Sequence, residues 1–211
     1  FSKRSWLPRS VDTQESVLDG TVVVWMDESG LGDAWLRGLN EDTKVVRLYT
    51  HQVPRRRVEP AYVLDAMDES ALSAVLKEHA QGDNIYLVDL RGYGRRGLEL
   101  FTDEQLQDAY WQVVGFYGAL SKALAKVDSS VGIRFVSVVS DVFGQENVSS
   151  NPVAASTLGL VQTLQQEFPQ LRGRVVDLPL DHPQESVSRL QSELVSPDRE
   201  PLTRWVADER W

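Results

Sequence analysis

The sequence predicts an α/β protein built on a doubly wound parallel sheet, and three observations carry that expectation. Apolar runs of strand length at 21–26, 44–49, 84–90, 132–139 and 174–178 alternate with segments of helical periodicity. The first run, 21–26, is continuous in apolar character, which fits a strand covered by helices on both faces. No internal repeat or low-complexity linker breaks the alternation over 211 residues, so one domain, 1–211, is expected.

The most legible unit is the stretch 151–169 leading into the strand 174–178. Asn151 is a good N-cap, and Pro152 fits a first helical turn, where its missing N–H costs nothing. Val153, Leu160, Val161, Leu164 and Phe168 recur at three- and four-residue steps and predict one apolar face. Ala154, Ala155, Ser156 and Gly159 are expected to keep the helix thin enough to lie close against the sheet, and Pro169 ends it.

The other elements follow in chain order. Residues 1–20, with Trp6 and Pro8, form a polar lead-in, and the strand 21–26 opens into the loop 27–33. A short helix carrying Trp35, Leu36 and Leu39 precedes the strand 44–49, and residues 50–62 are expected to be irregular. Leu72, Val75 and Leu76 mark the inner face of a helix over 68–80, capped by Asp68 or Ser70. After the strand 84–90 and an Arg- and Gly-rich loop comes a long helix, 102–126. It opens on a capping box formed by Thr102 and Gln105. Leu106, Tyr110, Val113, Val114, Tyr117, Leu120 and Leu124 give it a wide apolar face, and Tyr110, Trp111, Phe116 and Tyr117 are expected in the core. A helix over 184–194 and a strand over 202–206 complete the pattern; Trp205 and Trp211 suit either core anchors or a contact with a neighbouring domain.

Composition narrows the function. Thirty-one acidic against 22 basic side chains give a net charge of −9, which repels nucleic acid and anionic lipid, so neither is an expected partner. With no cysteine, disulfides, thiolate catalysis and cysteine metal sites are excluded. No apolar run is long enough to span a bilayer, and a cytoplasmic location is expected. Asn147-Val148-Ser149 matches the glycosylation sequon, but no signal peptide precedes it and the match is read as chance. The chain begins with Phe1 and not Met, so a longer parent polypeptide is expected.

The chemistry a doubly wound fold would need is incomplete. After the first strand, Gly30 and Gly32 supply two glycines of the dinucleotide fingerprint, but Trp35 holds the third position, where a ring is expected to block close helix–strand packing. Asp27, Glu28 and Asp33 place negative charge where a pyrophosphate would sit. A literal Gly-x-Gly-x-x-Gly occurs at Gly92, Gly94 and Gly97, but it follows a later strand and is separated from its helix by 98–102. Arg95 and Arg96 there could hold a phosphate; otherwise the segment is a surface loop. The short clusters Arg55–Arg57 and Arg91, Arg95, Arg96 read as solvated loop faces or one side of a protein contact.

A tyrosine that donates a proton, with a lysine four residues on to lower its pKa, is the remaining requirement of a short-chain reductase. Tyr49, Tyr62, Tyr86, Tyr93, Tyr110 and Tyr117 are followed at that spacing by Val53, Ala66, Leu90, Gly97, Val114 and Ser121. None is lysine. His51, His79 and His182 form no ligand pair, Asp65 and Asp68 read as helix-start carboxylates, and no Gly-x-Ser-x-Gly elbow or Walker loop appears.

Nearly the whole chain resembles the N-terminal, structural half of the ketoreductase domains of modular polyketide synthases. The likeness rests on 1–6 (FSKRSW), 22–32 (VVVWMDESGLG), 85–90 (IYLVDL), 134–140 (RFVSVVS) and the tail 193–211. The stretch 151–169 with 174–178 is its most specific part. The resemblance implies a truncated Rossmann-like, short-chain-reductase-like sheet that binds no cofactor and stabilises a catalytic half carrying the NADPH loop and the Ser-Tyr-Lys-Asn set. On this reading the chain supplies no catalytic, cofactor-binding or metal-binding residue of its own. It is either half of a reductase or a pseudo-ketoreductase kept beside a C-methyltransferase or dehydratase domain. Its expected partners are neighbouring domains of the same synthase polypeptide and, less directly, an acyl carrier protein. The alternatives are an NADPH-dependent reductase using Gly92, Gly94 and Gly97, or a carrier-protein-binding module that uses Arg55, Arg56 and Arg57.

Overall fold

A computed structural model of the chain describes residues 7–8, 18–50, 60–65, 67–79, 84–94, 102–140, 142–143, 152–180, 183–197, 199–206 and 209–211. The elements run β1 (Thr21–Trp25), α1 (Leu31–Leu36), β2 (Lys44–Tyr49), β3 (Ala61–Val63), α2 (Glu69–His79) and β4 (Ile85–Gly92). After these come α3 (Asp103–Leu124), β5 (Ile133–Ser140), α4 (Pro152–Glu167), β6 (Leu171–Leu178), α5 (Pro183–Val195), β7 (Leu202–Val206) and β8 (Glu209–Arg210). All eight strands join one sheet in the order β3-β2-β1-β4-β5-β6-β7-β8, parallel except where β8 turns back on β7. The first six positions have the strand order of a Rossmann sheet, which confirms the doubly wound class.

The period-2 alternation of strand side chains builds a core on each face. Val23, Trp25, Leu87, Phe135 and Val175 point to one face, where α2, α3 and α4 cover them. Val22, Val24, Val88, Val136 and Val176 point to the other, under α1 and α5. Two-sided burial explains why the first strand reads as a continuous apolar run.

Several local expectations are met. Thr102 Oγ1 accepts from Gln105 N and the Gln105 side chain accepts from Thr102 N, closing the capping box of α3. Asp68 Oδ1 accepts from Ala71 N at 3.0 Å, so Asp68 is the cap of α2. The expected Asn151 cap and the Trp6 anchor lie outside the described residues.

Three expectations are corrected. Ala61–Val63 is a strand where irregular chain was expected; as a three-residue edge strand beside β2 it is too short to leave a periodic signature. Tyr110 and Trp111 are 47% and 63% exposed, because α3 runs past the sheet at its N-terminal end and buries aromatics only from Phe116 onward. Against the sheet α4 presents the expected Val153, Val161 and Leu164 together with Thr157 and Leu158, and Leu160, Phe168, Ala154 and Ala155 pack beside them, but Gly159 is exposed and does not thin the buried face. The thinness that lets this helix approach belongs to the strand. A Cβ on Gly173 of β6 would lie 2.6 Å from Val161 Cγ1.

Candidate functional site

In an open α/β sheet the ligand crevice lies beyond the carboxyl ends of the strands, where neighbouring strands send their connections to opposite faces. Here that point falls between β1, whose connection passes through α1, and β4, whose connection passes to α3 on the other face. A cleft of about 240 Å³ opens there, with Asp27, Glu28 and Ser29 on one side and Arg91, Tyr93 and Gly94 on the other.

Asp27 governs its chemistry. Asp27 Oδ2 accepts from the backbone N–H of Ser29 at 2.9 Å, from that of Leu31 at 3.0 Å and from the Ser29 hydroxyl. Asp27 Oδ1 accepts from the Gly32 N–H at 2.7 Å. The N–H groups that would face a pyrophosphate after the first strand of a dinucleotide site are thus directed onto a carboxylate of the chain itself. A phosphate brought to this turn would meet a resident anion, with Glu28 beside it.

The fingerprint glycines serve that turn. Gly30 adopts φ 91° as the left-handed residue before α1. A Cβ on Gly32 would come within 2.9 Å of Met26 Cε and 3.0 Å of Leu90 Cδ1, so glycine lets α1 sit close on the strand ends. Trp35 does not clash with the sheet as expected. Its ring is buried toward α5, where Nε1 donates to Gln191 Oε1 at 2.8 Å, and α1 is only six residues long.

Across the cleft, Arg91 is a strand residue and not the free loop cation expected. Its Nε and Nη2 donate to the two carboxylate oxygens of Asp89 at 2.8 and 2.9 Å, and its guanidinium lies 3.7 Å from the Phe116 ring centroid. Paired and stacked in this way, Arg91 brings little unbalanced charge to an incoming anion. The Tyr93 hydroxyl donates to Ser186 Oγ at 3.3 Å, and the Gly94 N–H donates to Ser140 Oγ at 3.1 Å. A Cβ on Gly92 would lie 2.6 Å from the Val138 carbonyl oxygen, so this glycine is required by the approach of β4 to β5. Gly97, Arg95, Arg96, Arg55, Arg56, Arg57, His51 and His182 lie outside the described residues.

The other weighed residues are structural. Tyr117 packs edge-on against Phe116 and Phe135; burial first, then the Asp89 charge, pushes its phenol pKa up, so it holds its proton. Burial also raises Tyr49, with Asp33 adding. His79 contacts the Tyr62 hydroxyl at 3.2 Å, and Asp65 Oδ1 accepts from Met67 N. Among the described residues no group of acidic and histidine side chains could hold a metal ion, and no helix is long and apolar enough to cross a membrane.

One constellation escaped the sequence reading. Glu193, fully buried, accepts from Arg174 Nη1 at 2.5 Å, Arg210 Nε at 2.7 Å and Trp205 Nε1 at 2.9 Å. It ties α5 to β6, β7 and β8, and it settles Trp205 as a core anchor. The period-2 pair Arg172 and Arg174 was the visible hint.

No family model matches the chain, and no curated protein matches it by sequence. Solved structures match by shape. One is an adenylation, ketoreductase and pseudo-Asub multidomain structure of a keto acid-selecting NRPS module, at 16% identity and a TM-score of 0.74, covering 97% of this chain. This chain spans 17% of that one. A short-chain dehydrogenase from Burkholderia cenocepacia J2315, in complex with NADP, matches at 18% identity and 0.62, with 89% of each chain covered. A short-chain dehydrogenase/reductase from Vibrio parahaemolyticus matches at 14% identity and 0.62, covering 87% of this chain and 98% of that one. With its strand order and crossovers, the chain has the Rossmann-like fold of the short-chain dehydrogenases.

Proposed function

We propose that this chain is a non-catalytic structural subdomain of a polyketide synthase module, a ketoreductase N-terminal half or a pseudo-ketoreductase, which stabilises or positions a neighbouring catalytic domain. The observation that carries this reading is Asp27. Its carboxylate satisfies the donors that a dinucleotide phosphate would need, so the fold is kept while its anion site is filled from within. The sequence agrees, because no tyrosine is followed by lysine four residues later. The shape likeness to a ketoreductase-containing module supports the multidomain setting. Exposed Tyr110 and Trp111 on α3 supply aromatic surface for a contact with a neighbouring domain of the same polypeptide.

The second reading is an NADPH-dependent reductase of the short-chain type, with Gly92 and Gly94 facing the cofactor. It is favoured by the equal coverage of the NADP-complexed dehydrogenase and by the position of the cleft at the strand switch point. Titrating the purified chain with NADPH while following nicotinamide fluorescence separates the two. We expect no saturable change, whereas saturable binding with NADPH oxidation on addition of a β-keto thioester would establish the reductase.

A further inference from the structure

At the opposite edge of the sheet, where β5 and β6 begin, a second cleft of about 200 Å³ is lined by Arg134, Arg172, Arg174, Arg199 and Glu200. Arg134 and Arg172 are register partners on adjacent parallel strands, about 4.8 Å apart along the sheet, and Arg174 follows on the same face. Like charges at that spacing repel, so each needs an explanation.

Structure accounts for two of them. Arg134 Nη1 donates to the Leu194 and Ser196 carbonyls and so caps the C-terminus of α5, a favourable place for a cation. Arg174 is held by Glu193, a carboxylate that also accepts from Arg210. Burial lowers the Arg134 pKa, with Tyr86 opposing and Arg174 and Arg172 adding to it, which places the three guanidinium groups within electrostatic reach of one another. Arg172 and Arg199 are exposed and have no ion-pair partner among the described residues. Glu200 is the one carboxylate among the lining residues. Among the described lining residues Arg134, Arg172, Arg174 and Arg199 stand with the one carboxylate of Glu200, on a chain whose net charge is −9.

We propose that this arginine cleft binds the phosphoryl group of a small phosphorylated ligand, with Arg172 and Arg199 as its direct contacts and Arg134 as the fixed cation at its floor. Guanidinium forks match phosphate oxygens, and several of them lining one cleft favour a dianion over a single carboxylate. The cleft lies at the far end of the strands from Asp27, so the proposal does not depend on whether the switch-point cleft binds NADPH.

The test is thermal unfolding of the full chain in increasing inorganic phosphate, with sodium chloride at matched ionic strength as the control. A saturable rise in Tm with phosphate and not with chloride is expected. The exposed substitutions Arg172→Gln and Arg199→Gln together should leave the Tm in chloride unchanged and weaken the phosphate response at least tenfold. An equal phosphate and chloride response in the parent chain, or an undiminished phosphate response in the double variant, overturns the proposal. The arginine side-chain N–H resonances of the parent chain give a second readout that does not depend on stability. Shifts on phosphate addition confined to a few arginines and lost in the double variant support the site, and their absence refutes it.

Discussion

Replacing Asp27 with alanine removes an acceptor that three backbone N–H groups and one hydroxyl share. The loss can be scaled from its parts. Removing a helix-start cap costs about 1 kcal/mol, and leaving a buried donor unpaired costs about 1–3 kcal/mol. Gly32 and Leu31 are buried, so water cannot fully replace the carboxylate there, whereas the exposed Ser29 donors can turn to solvent at little cost. We therefore expect Asp27→Ala to destabilise the chain by about 2–3 kcal/mol. At the roughly 2–4 °C per kcal/mol usual for this chain length, that lowers Tm by about 4–12 °C. Asp27→Asn keeps one carbonyl acceptor and should lose about 1 kcal/mol. Urea denaturation of the three proteins, compared at constant m, is the assay. A stability of Asp27→Ala within about 0.5 kcal/mol of the parent would refute the claim that this side chain fills the anion position of the turn.

The remaining predictions probe packing and charge. Glu193→Gln removes the buried carboxylate charge that Arg174 and Arg210 share and should cost about 3–5 kcal/mol in urea denaturation. Gly173→Ala forces a methyl to within 2.6 Å of Val161 Cγ1, so α4 must shift; a loss of about 1–3 kcal/mol is expected, against a gain of about 0.5–1 kcal/mol for the mid-helix Gly159→Ala, whose Cβ meets nothing within 4 Å. The hydrogen bond from Lys126, with Lys122 alongside, holds the Glu69 carboxyl below its ordinary value of 4.5. A depressed carboxyl stabilises the fold above that ordinary value and loses the effect as pH falls through its folded value. Glu69→Gln should accordingly lower Tm at pH 7, and the difference should vanish in thermal scans well below pH 4.

What was legible in the sequence follows from what is local. A strand buried on both faces keeps apolar residues at successive positions, so β1, β4, β5 and β6 were visible; the less buried β2 still shows Val45, Val46 and Leu48, and the Thr102 capping box lies within four consecutive residues. The Gly30 and Gly32 turn was found, and so were the negative charges around it. That Asp27 folds back onto the turn was not legible, because a carboxylate five residues from Gly32 could equally point to solvent. The inward face of α4 was legible, but how closely it approaches the sheet was not. Periodicity marks an apolar stripe, but Gly173 on the facing strand decides how closely that stripe can approach, and nothing in α4 encodes it. Likewise Arg134 and Arg172 are far apart in sequence and meet only through the register of β5 on β6.

Both ends of this sheet handle charge in ways that bear on function. In a dinucleotide site the strand ends leave N–H donors unpaired and wait for a ligand to satisfy them, at a cost in stability to the empty protein. Here Asp27 accepts from the turn donors, Asp89 pairs with Arg91, and Ser140 accepts from Gly94, so these described donors are satisfied within the chain. The opposite edge is incomplete in the same sense. Glu193 divides one charge between two arginines, while Arg172 and Arg199 have no ion-pair partner among the described residues. Under the proposed structural role, a positioning domain would gain from a nucleotide end whose donors the chain itself satisfies. Its unbalanced charge should lie where another molecule makes contact, and on these coordinates of charge that place is the arginine edge.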